Sequence, residues 1–96
     1  MRVTGPLLKV LRALLCSPST DIYGLELSRA TGLKSGTLYP LLDRLEAAGW
    51  VTSRWEDVDP VREGRPRRRF YSLTGLGAHE ARHVLLEHGV GDVSWA

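Results

Sequence analysis

The sequence predicts a mainly helical fold with a small β-hairpin: a winged helix-turn-helix of three helices plus a wing, followed by a short carboxy-terminal helix. Three observations predict it. A leucine-striped helix begins at Ser35, a strand pair follows it directly, and the loop joining those strands is packed with arginine. The 96 residues suffice for one domain with a modest core and leave no room for a second independent one. Residues 5–74 are expected to form the winged helix-turn-helix, and residues 75–96 a short dimerisation helix and tail.

The first helix is marked by Leu7, Val10, Leu11, Leu14 and Leu15, spaced as one buried helical stripe. Pro6 suits its first turn and Ser17-Pro18 ends it. Lys9 and Arg12 interrupt the apolar run, which argues against a secretory leader ending at Cys16. No stretch approaches the ~18 apolar residues of a membrane span. A single cysteine excludes an internal disulfide and favours a reducing compartment, so a cytoplasmic location is expected.

A second helix is expected from about Ile22 to Ala30, capped by Asp21 or Thr20. Gly24 inside it costs roughly 1 kcal/mol against alanine, which points to a close approach by a neighbouring element. Gly32 ends the helix as a residue able to take positive φ. Ser28 precedes that glycine by four positions, Leu33 follows it, and Leu38 and Leu41 lie beyond. Such spacing suits a helix-turn-helix: a small residue for approach, a glycine for the turn, leucines to lock the second helix on the first.

The next helix, from Ser35 to about Ala48, has an inner stripe of Leu38, Leu41, Leu42, Leu45 and Ala48. Gly36, Thr37, Tyr39, Asp43, Arg44 and Glu46 lie away from it. Ser35 is expected to cap its amino end, where free N–H groups favour a phosphate. Pro40, about one turn in, stiffens that end. For Tyr39 the alternatives are a half-buried surface aromatic and a hydroxyl that reaches a phosphate or base, and the second is preferred.

After Gly49, Val51, Ser53 and Trp55 alternate with Thr52, Arg54 and Glu56, the period of a half-buried strand. Asp57 to Pro66, with two prolines and a glycine, reads as a long hairpin loop, and Arg67 to Leu73 as the returning strand. Residues 61–70 hold Arg62, Arg65, Arg67, Arg68 and Arg69 against Glu63, a net +4 in a chain whose total is only +2. The positive charge is therefore local, as a grip on a polyanion would require. Thr74 can cap a last helix running to about His88, with Ala78, Ala81, Val84 and Leu85 as its stripe.

Catalysis finds no support: there is no nucleophile and base pattern and no phosphate-binding glycine loop. His79 and His83 stand at i and i+4, a chelating spacing, but no third ligand on their face is assured, so neither metal nor other cofactor is expected.

Three stretches, YGLELSRATG, SGTLYPLLDRLEAAGWV and GRPRRRFYSLTGLG, together resemble the PadR family of bacterial transcriptional regulators. The shared marks are a Tyr-Gly at the second helix, a Leu-Tyr-Pro-x-Leu-x-x-Leu recognition helix, and an aromatic-x-Leu-Thr-x-x-Gly leaving the wing. The resemblance implies a homodimeric repressor on a near-palindromic operator, relieved by a small-molecule effector, possible at the dimer interface. It marks Ser35, Gly36, Thr37, Tyr39 and the wing arginines as DNA-facing, and the first and last helices as dimer-forming. The full expected DNA-binding set is Lys34, Ser35, Gly36, Thr37, Tyr39, Arg44, Arg62, Arg65, Arg67 and Arg68; for dimerisation it is Leu8, Leu11, Val84, Leu85 and Trp95. The last helix is shorter than the family's pattern, which puts the dimer contact and ligand sensing in question. The alternative function is a winged-helix protein-interaction module without DNA binding, a use the fold alone does not exclude.

Overall fold

A computed structural model of the chain describes residues 1–17 and 21–89. The elements run α1 (Gly5–Cys16), β1 (Ile22–Tyr23), α2 (Gly24–Thr31), α3 (Ser35–Ala47), β2 (Val51–Trp55), α4 (Pro60–Glu63), β3 (Arg69–Leu73) and α5 (Gly75–Glu87). Helices α2 and α3 form the helix-turn-helix, and a three-stranded antiparallel sheet in the order β1-β3-β2 forms the wing. Among the described residues no helix is long and apolar enough to cross a membrane.

Helix α1 is the centre of the core. Thr4 caps it, accepting from Leu7 N at 3.3 Å. Its buried face packs against α2, α3 and α5. Leu27, Leu38, Leu42 and Leu45 meet Leu7, Val10 and Leu11 in one cluster, which Ala81 and Val84 of α5 close. Periodicity alone foresaw this stripe on α3, except that Ala48 is exposed and ends the helix instead of packing.

The expected helix start at Ile22 is corrected. Ile22 and Tyr23 are extended and pair with Tyr71 and Phe70, which makes the wing three-stranded. A β-branched and an aromatic residue beside an open strand edge gain more from that ladder than from another half turn of helix. Asp21 therefore is not the cap; Tyr23 holds that position, and its N–H donates to the Glu26 carboxylate at 3.3 Å. Thr20, the other expected cap, lies outside the described residues.

The turn between α2 and α3 is held by two hydroxyls. Gly32 adopts φ 73°, the left-handed conformation expected of it. Ser28 Oγ donates to Leu33 O at 2.7 Å, so this small residue ties the turn as well as admitting the neighbouring helix. Thr31, buried, donates to Leu27 O at 2.6 Å and accepts from Leu33 N at 3.2 Å. Replacing Thr31 with valine keeps the shape but leaves the Leu33 N–H without its acceptor, a cost of ~1–3 kcal/mol. Thermal melting should show a loss of several degrees for Thr31→Val. Thr31→Ser, which keeps the hydroxyl, should melt closer to the parent.

The hairpin loop is also corrected. Pro60–Glu63 is one turn of helix, with Asp59 Oδ1 accepting from Val61 N at 2.9 Å and Gly64 at φ 66° closing it. The Asp, Pro and Gly that read as loop formers serve here as cap, first-turn residue and terminator. The returning strand begins at Arg69, two residues later than expected.

At the far end, Thr74 caps α5 as predicted, accepting from Gly77 N at 2.9 Å. Its N–H donates to Trp50 O at 2.9 Å and its hydroxyl to Gly49 O at 2.7 Å, clamping α5 to the turn that ends α3.

Candidate nucleic-acid interface

The amino end of α3 is open and polar. Lys34, not Ser35, occupies the cap position, and no side chain caps the helix. The correction has a local reason: Lys34 is the last extended residue, and its carbonyl accepts from Thr37 N at 3.0 Å and Leu38 N at 2.9 Å. Ser35 and Gly36 are thereby the first helical residues, whose N–H groups have no intrahelical acceptor. Lys34, Ser35, Gly36 and Thr37 are all exposed. Such an end presents free donors and the positive pole of the helix dipole to an anion.

Tyr39 follows on the same helix, 41% exposed. Its ring lies over Gly24 at the start of α2, where an added Cβ would stand 2.8 Å from Tyr39 Cζ. This is the close approach that a glycine inside the helix signalled. Tyr39 then lines a cleft of about 740 Å³ between α3 and the wing. Across it stand Trp55, Arg65, Arg67, Arg68 and Arg69, with Tyr23 and Leu25 of the β1 and α2 region at one end and Asp43 of α3 beside Tyr39. The structure thus brings four of the expected residues, Tyr39, Arg65, Arg67 and Arg68, to one cleft. Arg44 is exposed near the carboxy end of α3, and Arg62 is exposed on α4.

The five wing arginines are not equivalent. Arg65 makes a two-pronged ion pair with Glu56, at 2.7 and 3.1 Å, and reaches Glu63 at 4.0 Å. Glu56 also accepts from Arg68 N at 3.2 Å. Arg65 is therefore a staple across the mouth of the wing loop, not a free cation. Arg69 turns towards Glu46 and Ser53, with its guanidinium 5.3 Å from the Trp55 ring centre. Arg67 and Arg68 make no ion pair within 4 Å among the described residues, although the Arg68 charge is near enough to help lower the Glu56 carboxyl. Arg67 Nε donates to Val58 O at 2.9 Å, which aims the charge without neutralising it. The Arg68 guanidinium lies 4.7 Å from the Tyr23 ring centre, and Arg54 stands 4.9 Å from that of Phe70. These aromatic supports, Tyr23, Trp55 and Phe70, were not picked out from sequence, because stacking on an arginine leaves no spacing signature.

The Arg65 hydrogen bond is the largest influence on Glu56, holding its carboxyl down to about 2 from 4.5 against the opposing effect of burial; the Arg68 N–H adds to the lowering. A carboxylate whose folded value lies below its unfolded one stabilises the fold at neutral pH, and that contribution is lost as pH falls from about 4.5 through about 2. An NMR titration of Glu56 in the folded protein should have its midpoint near the lower value. A midpoint near 4.5 would mean that the staple is not formed in solution.

The expected dimer residues divide. Leu11 and Leu85 are 0% and 1% exposed within the chain's own core, and Val84 is buried there too. The expectation that these three face a second copy is corrected: helical periodicity identifies a buried face, not what buries it. Leu8 is half-buried at the edge of the core, and Trp95 lies outside the described residues. His83 pairs with Glu87 at 2.8 Å, and His88 Nδ1 lies 2.9 Å from Val84 O.

The sequence matches the profile of the transcriptional regulator PadR-like family over residues 14–83. No curated protein matches it. Among solved structures, smu.1704 from Streptococcus mutans UA159 is similar, with 29% identity and a TM-score of 0.68 over 94% of this chain and 85% of that one. Apo MarR from E. coli has 26% identity and a TM-score of 0.69; the match covers 88% of this chain and 56% of MarR. A PadR-like transcription factor from Bacteroides fragilis, at 24% identity and a TM-score of 0.69, shares the fold over 88% of this chain and 82% of its own.

Proposed function

The chain belongs to the PadR-like family of transcriptional regulators, and from that premise we propose that it is a repressor that binds a near-palindromic operator in duplex DNA as a homodimer. One observation carries the reading. The open polar end of α3 and two arginines that make no ion pair among the described residues, Arg67 and Arg68, belong to elements that line opposite walls of one cleft. In this reading the amino-terminal half of α3 enters the major groove, and the wing follows the backbone or the adjacent minor groove. Two such helices would lie about 34 Å apart in a dimer on successive grooves.

The geometry supports a division of labour. Lys34, Thr37 and Tyr39 present functional groups suited to base edges or nearby phosphates, so they would influence sequence choice. Arg62, Arg67 and Arg68 would supply sequence-independent attraction. Arg65 would hold the wing in shape. For the dimer, the exposed apolar residues of α5, Leu76 and Leu86, replace the buried Leu11, Val84 and Leu85 as the candidates beside Leu8.

Selection of duplexes from a randomised library by the purified protein tests the reading. It should enrich a two-fold symmetric site, and Thr37→Ala should change the preferred bases more than the overall affinity. Failure to enrich any duplex would refute it.

A further inference from the structure

A polar cluster of Glu46, Ser53 and Arg69 joins the two halves of the proposed interface, and Arg69 also lines the cleft. Glu46 is in the last turns of α3, Ser53 is the central residue of β2, and Arg69 opens β3. Ser53 Oγ lies 2.9 and 2.8 Å from the two Glu46 carboxylate oxygens and donates to that group. The same oxygen accepts from Arg69 Nε at 3.1 Å and Nη2 at 2.8 Å. Its single hydrogen and both lone-pair directions are thus used. Glu46 and Arg69 themselves are 3.5 Å apart, an ion pair to which the hydroxyl between them adds shorter, directional hydrogen bonds.

We propose that Ser53 is a positioning residue for operator recognition, its hydroxyl fixing the recognition helix α3 relative to the wing through Glu46 and Arg69. The argument rests on the DNA-binding reading above. A helix and a wing that read one duplex must reach two grooves at once, so their relative placement decides how well base contacts and backbone contacts are made together. The apolar core fixes how deeply α3 packs. Beyond Leu45 the core is resumed by Trp50 and Val51, and the Thr74 clamp ties that turn to α5. Ala47 and Ala48 are exposed, however, so on this side of the last turn it is Glu46 that ties α3 to β2 and β3. The hydroxyl supplies that restraint with charge-assisted bonds in both directions. It also aims Arg69, whose guanidinium meets the Trp55 ring on the cleft wall.

Nonspecific attraction depends on the free arginines and should not need the alignment; discrimination between sequences should. The test compares the parent with Ser53→Ala, Ser53→Thr and Glu46→Gln. Each is measured on the duplex that the parent enriches from a randomised library, on an unrelated duplex, and by thermal melting. Ser53→Ala should reduce the ratio of the two affinities about five- to tenfold, with binding to the unrelated duplex held within about twofold. Ser53→Thr, which keeps the hydroxyl on a residue suited to a strand, should restore the ratio. Glu46→Gln should reduce it in the same direction, and carries the test if Ser53→Ala does not fold. An unchanged ratio with a lowered melting temperature would overturn the proposal, leaving the contact as structural support only. If the parent enriches no duplex, the DNA-binding reading falls and this proposal with it.

Discussion

Gly77→Ala is expected to lower the melting temperature by ~10 °C or more. Gly77 is buried in the first turn of α5, directly against the backbone of Trp50. A Cβ there would overlap the Trp50 carbonyl oxygen and stand 2.6 Å from the carbonyl carbon. Neither atom can swing aside as a side chain would, because the same carbonyl is held by Thr74 N at 2.9 Å. The clash must be relieved by moving α5 off the end of α3. Overpacking that forces backbone shifts costs ~1–3 kcal/mol and at times more, and each kcal/mol is worth roughly 4–8 °C in a domain of this size. Gly24→Ala forms an internal control: its clash is with the far end of the Tyr39 side chain, which can swing away as a whole about χ1, so it should disturb stability less and the cleft more. Equal melting of Gly77→Ala and the parent would show that α5 does not pack as described.

Arg67→Ala with Arg68→Ala is expected to weaken binding to every duplex by roughly ten- to hundredfold at moderate salt. The slope of log affinity against log salt should fall by about two per protomer. Base preference should persist, since the α3 residues are untouched. Arg65→Ala provides the contrast. That arginine spends its charge on Glu56 at 2.7 and 3.1 Å, so its loss should soften the wing and release Glu56, which then repels phosphate. Arg65→Lys should not restore the parent, because an ammonium cannot reproduce the two-pronged geometry. Electrophoretic shifts across a salt series distinguish the two classes of arginine.

Much of the fold was legible because helices write their packing into local spacing. The leucines of α1 and α3, the Gly32 turn and the Thr74 cap all depend on residues within a few positions of one another. What the sequence hid depends on distant partners. Strand β1 is two residues long and exists only because β3 offers Ile22 and Tyr23 an edge. The helix α4 carried its capping signals in plain view, but Asp, Pro and Gly also make loops, and only the chain's path decides between the uses. Gly77 ends the aromatic-x-Leu-Thr-x-x-Gly motif, yet its reason is the Trp50 carbonyl, far from it in sequence.

The candidate site was legible in outline and misjudged in detail for the same reason. The charge excess on residues 61–70 drew attention to the wing. It counted every arginine alike, whereas Glu56 removes Arg65 from the free charge and Glu46 with Ser53 turns Arg69 inward. Leu11 and Leu85 show the parallel limit for apolar residues. Their spacing announced burial, and the core of the chain itself supplies it.

The central claim is that the α3 end and the wing together grip duplex DNA through phosphate neutralisation. Titration of the unmodified protein onto an unrelated fluorescent duplex, at about 50 mM and about 200 mM salt, tests it most directly. The account predicts binding at micromolar protein in the lower salt, weakening by an order of magnitude or more in the higher. No binding at tens of micromolar, or binding indifferent to salt, would contradict it and turn attention to the same face as a surface for another protein.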